Sequence, residues 1–384
     1  MKPKRRAVPG GRSRRTPTVR VVRPAIAPIT RPAPGDAARP PRAGRAGDLG
    51  ATQGVGSASL DALGGRPIDL RVDLGRGLVL ANPLLAASGA FGYGVELGDL
   101  VDLPRLGGIV TRGTTLRQRG GRPAPRSAEV PGGLLWGVGL QNPGLDLVLE
   151  RYAPAWAGWR VPVIVNLCGE SSSELADAAR RLDGAPGVAG LELNLSCPNG
   201  ARGAAFGLEA SSAGAAVAAV RRACELPLIA KLTPAAGDAR AVAKACEDAG
   251  ADALSAVNTL PGLALAPDRL GSALGAGYGG IAGPALRPIA LRVVHEIAQV
   301  VDVPVIGVGG VASIDDVLDL LAAGASAVGV ATAALADPML PVRLADELAD
   351  ACRARGLDGV QRLVGTALPA RSGPPSTRGA EYGR

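Results

Sequence analysis

From Ile68 the chain alternates apolar and polar positions with a period of two. Ile68 to Leu74 reads Ile-Asp-Leu-Arg-Val-Asp-Leu, Gly75-Arg76-Gly77 interrupts, and Leu78 to Ala81 resumes, which predicts a β-hairpin at the head of the folded unit. Short, almost wholly apolar runs follow at 83–87, 107–111, 162–167, 189–194, 227–232, 252–257, 304–308 and 326–330. Such runs fit strands buried on both faces. Ala-rich stretches of helical period separate most of them, at 171–184, 209–224, 237–249, 285–300 and 313–323. Eight strand–helix units within residues 67–365 predict an α/β protein of the TIM (β/α)8 barrel type, with a doubly wound open sheet as the alternative.

Two long breaks interrupt this rhythm, at 112–161 and at 258–284. Long insertions after barrel strands belong to the functional face, because the loops there line the mouth. Residues 1–66 read as a disordered Arg/Pro-rich extension and 366–384 as a disordered C-terminal tail, since neither holds a periodic apolar pattern.

Composition changes the picture mainly through the distribution of charge. The net charge of +8 suggests nucleic acid, yet residues 1–50 carry thirteen Lys or Arg against two Asp, so the rest of the chain is net −3. A mildly acidic folded part has no footprint for phosphate backbones, and the basic tail has no aromatic residue on which bases could stack. No nucleic-acid partner is expected. No membrane association is expected either, because no apolar stretch reaches membrane-span length. The prolines of the tail oppose the amphipathic helix of a transit peptide, so the reading is cytoplasmic. The five cysteines, at 168, 197, 224, 246 and 352, contain no C-x-x-C pair, and the chain has one histidine, His295, within a helical stretch. Metal sites and a Ser-His-Asp device are thereby set aside.

The strand ends carry the candidate chemistry, because polar side chains there converge on one mouth. In order they are Ser88, Arg112-Gly113, Asn166, Asn194 with Cys197, Lys231, Asn258-Thr259, Gly309-Gly310 and Ala331-Thr332. Three asparagines suit a flat heterocycle with alternating carbonyl and N–H edges. The glycines of the last two strands expose backbone N–H groups suited to a phosphate, although a Gly-Gly pair is also an ordinary turn. Lys231 is either a snorkelling lysine or a cation beside the electron-rich end of a reduced cofactor ring. Cys197, between a strand end and the glycines at 200, 203 and 207, is the best candidate base or nucleophile, against the alternative of an inert buried thiol. Cys224, Cys246 and Cys352 lie in helical segments and read as core.

Several segments in order resemble the class 1 dihydroorotate dehydrogenases, flavin enzymes with a TIM-barrel catalytic chain. They are Asn82-Pro83 with 87–94 (ASGAFGYG), 109–115 (IVTRGTT), 139–144 (GLQNPG), 192–199 (ELNLSCPN), 229–234 (IAKLTP), Asn258-Thr259 and 307–310 (GVGG). Cys at the base position resembles class 1. Ala205-Phe206-Gly207 with the context of Arg112 resembles the NAD-linked 1B branch.

The resemblance implies that flavin mononucleotide (FMN) meets Ser88, Arg112, Gly113, Asn166, Asn194, Lys231, Val257, Gly283, Gly309, Gly310, Ala331 and Thr332. It implies a substrate site of Arg112, Trp136, Gly137, Val138, Gly139, Leu140, Asn194, Asn199, Asn258 and Thr259. The implied reaction oxidises (S)-dihydroorotate to orotate in pyrimidine synthesis, with Cys197 removing the C5 proton, hydride leaving C6 for flavin N5, and Lys231 stabilising the reduced ring. The implied partner is an electron-transfer subunit carrying FAD and a 2Fe-2S cluster, in a homodimer or heterotetramer. Three positions depart from the family pattern: Arg112 for lysine, Trp136 for asparagine and Ala331 for glycine. Other readings of the same residues are a flavin barrel acting on another dihydropyrimidine or cyclic imide, and a degenerate flavin barrel without activity.

Overall fold

The structure, a computed structural model, describes residues 67–195 and 206–369. The predicted hairpin is present, with β1 (Val72–Asp73) antiparallel to β2 (Val79–Leu80). The eight apolar runs form β3 (Leu84–Ala86), β4 (Gly108–Val110), β7 (Val163–Leu167), β8 (Val188–Asn194), β9 (Leu228–Leu232), β10 (Ala253–Ala256), β13 (Val305–Val308) and β14 (Ala327–Val330). They close into a barrel in the order β3-β4-β7-β8-β9-β10-β13-β14, every recorded pairing parallel. This is a TIM barrel, not the open doubly wound sheet.

The strands are nearly all buried because helices cover their outer side while side chains fill the interior. The five expected helices are present at Ser172–Leu182, Ala210–Arg221, Ala239–Asp248, Arg287–Ile297 and Ile314–Ala322. Their starts follow local chemistry. The Ser171 side chain accepts from Glu174 N–H, Asp238 accepts from Arg240 and Ala241 N–H, and Ser313 with Asp316 forms a reciprocal capping box. The helix Leu340–Ala354 completes the wall with Leu344, Leu348 and Cys352 buried.

The insertions hold regular structure that the sequence pattern did not predict. Residues 112–161 contribute β5 (Ser127–Val130) and β6 (Gly133–Trp136), and residues 258–284 contribute β11 (Leu260–Gly262) and β12 (Gly279–Ala282). These pair antiparallel in the order β5-β6-β12-β11, so the two insertions form one four-stranded sheet. Gly280 lies opposite Trp136.

The C-terminal boundary extends beyond residue 365. Ala367 N–H donates to Ala322 O at 3.0 Å and Leu368 N–H to Gly365 O at 2.9 Å, so the chain remains tied to the barrel wall there. The expected extension at 1–66 and the rest of the tail lie outside the described residues. No described helix is long and apolar enough to cross a membrane.

Candidate active site

The strand register aligns the polar residues of the mouth. Asn166 on β7 lies opposite Glu192 on β8, Asn194 opposite Lys231 on β9, and Lys231 opposite Ser255 on β10. Lys231 Nζ donates to Ser88 Oγ at 2.9 Å and to Glu192 Oε1 at 3.2 Å. Glu192 Oε1 also accepts from Asn166 Nδ2 at 2.5 Å. Asn194 Nδ2 then donates to Asn166 Oδ1 at 3.3 Å, Asn258 Nδ2 to Asn194 Oδ1 at 3.1 Å, and Thr259 N–H to Asn258 Oδ1 at 2.8 Å. One hydrogen-bonded line thus runs from Ser88, just after β3, across β9, β8 and β7 to Asn258, just after β10, and reaches the second insertion.

A second layer holds the turn that carries Arg112. Arg112 N–H donates to Gly92 O at 2.7 Å, and both Thr111 and Thr114 hydroxyls donate to Arg112 O. Beneath it Tyr93 hydrogen-bonds Thr114 and stacks on Tyr152 at 4.4 Å between ring centroids. Burial pushes the Tyr93 phenol up to about 12, the Thr114 hydrogen bond opposing only in part, so it stays neutral. Arg112 forms no ion pair among the described residues, leaving a cation at the mouth.

Two adjoining cavities lie over this line. The first, about 220 Å³, is bounded by Ser88, Lys231, Val257, Gly283, Gly309, Gly310, Ala331 and Thr332 among others. The second, about 120 Å³, is bounded by Ser88, Arg112, Gly113, Trp136, Val138, Gly139, Leu140, Asn166 and Asn194 among others. Ser88, Asn258 and Thr259 belong to both. Their boundaries therefore form one elongated site, with glycine backbone at one end and amides with a guanidinium at the other. A larger open cleft of about 640 Å³ beside Trp159 contains none of the expected site residues.

Glycine is required at the backbone end. Gly310 has φ +77° and a Cβ there would come within 2.7 Å of Arg287 Cβ, while Gly283 has φ +94° and a Cβ would come within 2.9 Å of Gly133 Cα. In the second cavity, a Cβ on Gly113 would meet Cys168 Sγ at 2.9 Å.

Most expected site residues are thus brought together. Gly137 is an exception: it borders neither cavity, and its N–H donates to Arg126 O instead. Cys197 and Asn199 lie outside the described residues. Glu192 was missed as a separate functional residue, although the Leu191-Glu192-Leu193-Asn194 alternation places its side chain on the face of Asn194. Trp136 is half-buried on the wall of the second cavity. Cys224, Cys246 and Cys352 are buried away from both cavities, as expected.

The family profile described as dihydroorotate dehydrogenase matches residues 73–352. The chain belongs to the dihydroorotate dehydrogenase family. Among its relatives, the "Dihydroorotate dehydrogenase B (NAD(+)), catalytic subunit" of Pelobacter propionicus is 45% identical over 298 residues, covering 77% of this chain and 98% of the relative. The protein of that name in Geotalea uraniireducens is 43% identical over 79% of this chain and 99% of its own. The one in Porphyromonas gingivalis is 42% identical over 77% and 96%. A solved dihydroorotate dehydrogenase from Eimeria tenella, in complex with ferulenol, superposes with a TM-score of 0.67 at 20% identity, covering 78% of this chain and 88% of that one. That likeness supports the fold, and the bacterial relatives all carry the name of the B, NAD(+)-linked catalytic subunit.

Proposed function

We propose that this chain is the catalytic subunit of an NAD-linked dihydroorotate dehydrogenase, oxidising (S)-dihydroorotate to orotate in pyrimidine synthesis in the cytoplasm. The observation that carries the reading is the pair of cavities sharing Ser88, Asn258 and Thr259. The glycine-rich lining of the first suits the phosphate-bearing end of a cofactor, and the amides and guanidinium of the second suit a small planar imide beside the cofactor's ring.

The residues present fit FMN. Gly283, Gly309 and Gly310 let backbone approach a phosphate closely, Thr332 adds a hydroxyl, and Lys231 offers an ammonium held by Ser88 and Glu192. Bound flavin would supply the hydride acceptor. The three asparagines would suit the alternating carbonyl and N–H edges of the pyrimidine ring, and Arg112, on the same cavity wall, would meet the substrate's negative charge. Cys197, by its position after β8, is the proposed base for the C5 proton, which its thiolate would take as the C–H bond breaks. Electrons would leave for a partner subunit carrying FAD and an iron–sulfur cluster, within a homodimeric or heterotetrameric assembly. No described group of cysteines offers a cluster site in this chain itself.

Anaerobic addition of dihydroorotate to the purified protein tests the reading. The flavin absorbance should bleach, and extraction should return FMN. Cys197→Ala should retain flavin but lose at least about a hundredfold in bleaching rate. Yellow protein that dihydroorotate leaves oxidised would overturn the proposal.

A further inference from the structure

The hydrogen-bonded line across the mouth has a direction, and its two ends fix it. A carboxylate only accepts and a backbone N–H only donates. At one end Glu192 Oε1 accepts from Asn166 Nδ2, and at the other Thr259 N–H donates to Asn258 Oδ1. Between these ends each amide can hydrogen-bond its neighbours in one orientation only: Nδ2 toward Glu192, Oδ1 toward Thr259. Were Asn166 turned over, its carbonyl would face the carboxylate. Asn194 and Asn258 would then have to turn in sequence, and Thr259 N–H would face an amide N–H.

We infer that Glu192 is a positioning residue: its buried carboxylate is the acceptor anchor that, with the Thr259 N–H at the far end, holds Asn166, Asn194 and Asn258 in one amide orientation. Without it the line loosens, and with the line the pattern of donors and acceptors shown to the bound pyrimidine. Glu192 and Lys231 are only 2% and 3% exposed, so the carboxylate is shielded from water and its oxygen is shared between Lys231 and Asn166. Asn194 and Asn258 do not touch Glu192 and feel it only through the relay. The inference rests on the dihydroorotate reading for the identity of the ligand, but the amide orientation itself belongs to the protein alone.

The test uses the full-length protein with asparagine side chains labelled with ¹⁵N, recording the Nδ2 resonances of Asn166, Asn194 and Asn258. Glu192→Met removes the acceptor and should move all three. Glu192→Gln retains one acceptor oxygen and should return Asn194 and Asn258 close to their wild-type positions. Orotate titrations of the same proteins should show binding weakened about tenfold or more in the Met variant and mostly restored in the Gln variant.

Shifts confined to Asn166 in the Met variant, or a Gln variant indistinguishable from it, would overturn the inference. If the Met variant does not fold, Glu192→Met combined with Lys231→Met removes both buried charges and carries the same resonance test. Bleaching of wild-type protein by dihydroorotate reports on the functional reading separately.

Discussion

Lys231 Nζ lies 3.2 Å from Glu192 Oε1 inside the barrel mouth, with only 4% and 2% of the two side chains exposed. The pair is a matched set of buried charges, so its contribution is asymmetric. Replacing both by apolar groups is tolerated far better than removing one, which leaves the other charge without a partner in a dry site. Lys231→Met alone should therefore lower unfolding stability by about 3–5 kcal/mol. Adding Glu192→Met should recover most of that loss while leaving flavin reduction impaired. Denaturant unfolding of the two variants checks this, and a single variant as stable as wild type would contradict it.

Alkaline pH should weaken the fold through buried thiols. Cys246 is fully buried in the helix Ala239–Asp248, and burial pushes its thiol from 9.0 up to about 12. The native state holds the proton more tightly than the unfolded chain. Its contribution is complete below about 9, where both states are protonated, and declines as pH rises toward about 12. Cys224 and Cys352 shift the same way for the same reason. Where the Cys246 thiol is ionised in the unfolded chain and protonated in the native state, it adds a slope of about 1.4 kcal/mol per pH unit. Cys246→Ala should flatten the fall measured by urea midpoints between pH 9 and 11, and an unchanged slope would contradict the assignment.

Gly310 tests the backbone end of the site. At φ +77° a side chain is strained, and its Cβ would press on Arg287 at 2.7–3.0 Å. Arg287 is itself fixed by Asp316 at 2.5 Å and by Asp319. Gly310→Ala should cost about 1–3 kcal/mol and reduce flavin per chain in the purified protein. Full flavin content with unchanged melting would indicate that the turn yields easily and that the cofactor does not depend on its close approach.

What was legible in the sequence follows from how each feature is encoded. The barrel strands stood out because burial on both faces writes a continuous apolar run, as in Leu228–Leu232, with Lys231 the one polar interruption. The sheet of the insertions did not stand out. Gly133 and Gly279 weaken any strand signal, and β6 pairs with β12 across more than 140 intervening residues, which no local pattern records. Within the site, residues at strand ends could be found by position alone. Glu192 could not, because its role depends on Lys231 and Asn166 reaching it from neighbouring strands. The tail boundary fell short for a similar reason: Ala367 is held by Ala322, a contact invisible to composition.

Trp136 tests how the second cavity would recognise a flat ring. The indole sits on β6 opposite Gly280 and Ser127, half-buried, on a wall shared with Arg112, Asn194 and Asn258. An asparagine there, as the family pattern has it, would offer donors and an acceptor. The indole offers one N–H and a broad apolar face, suited to packing against a flat ring whose polar edge is already served by Asn194 and Asn258. Trp136→Ala should therefore raise the dihydroorotate KM by about tenfold, or 1.4 kcal/mol, with a smaller change in the limiting rate of flavin reduction. Trp136→Asn should also weaken binding, though less, because the amide restores hydrogen bonds but not the wall. The dihydroorotate dependence of anaerobic bleaching measures both. If Trp136→Asn instead tightened dihydroorotate about tenfold, the indole would be an obstruction, and the cavity of this chain would be shaped for a different cyclic imide.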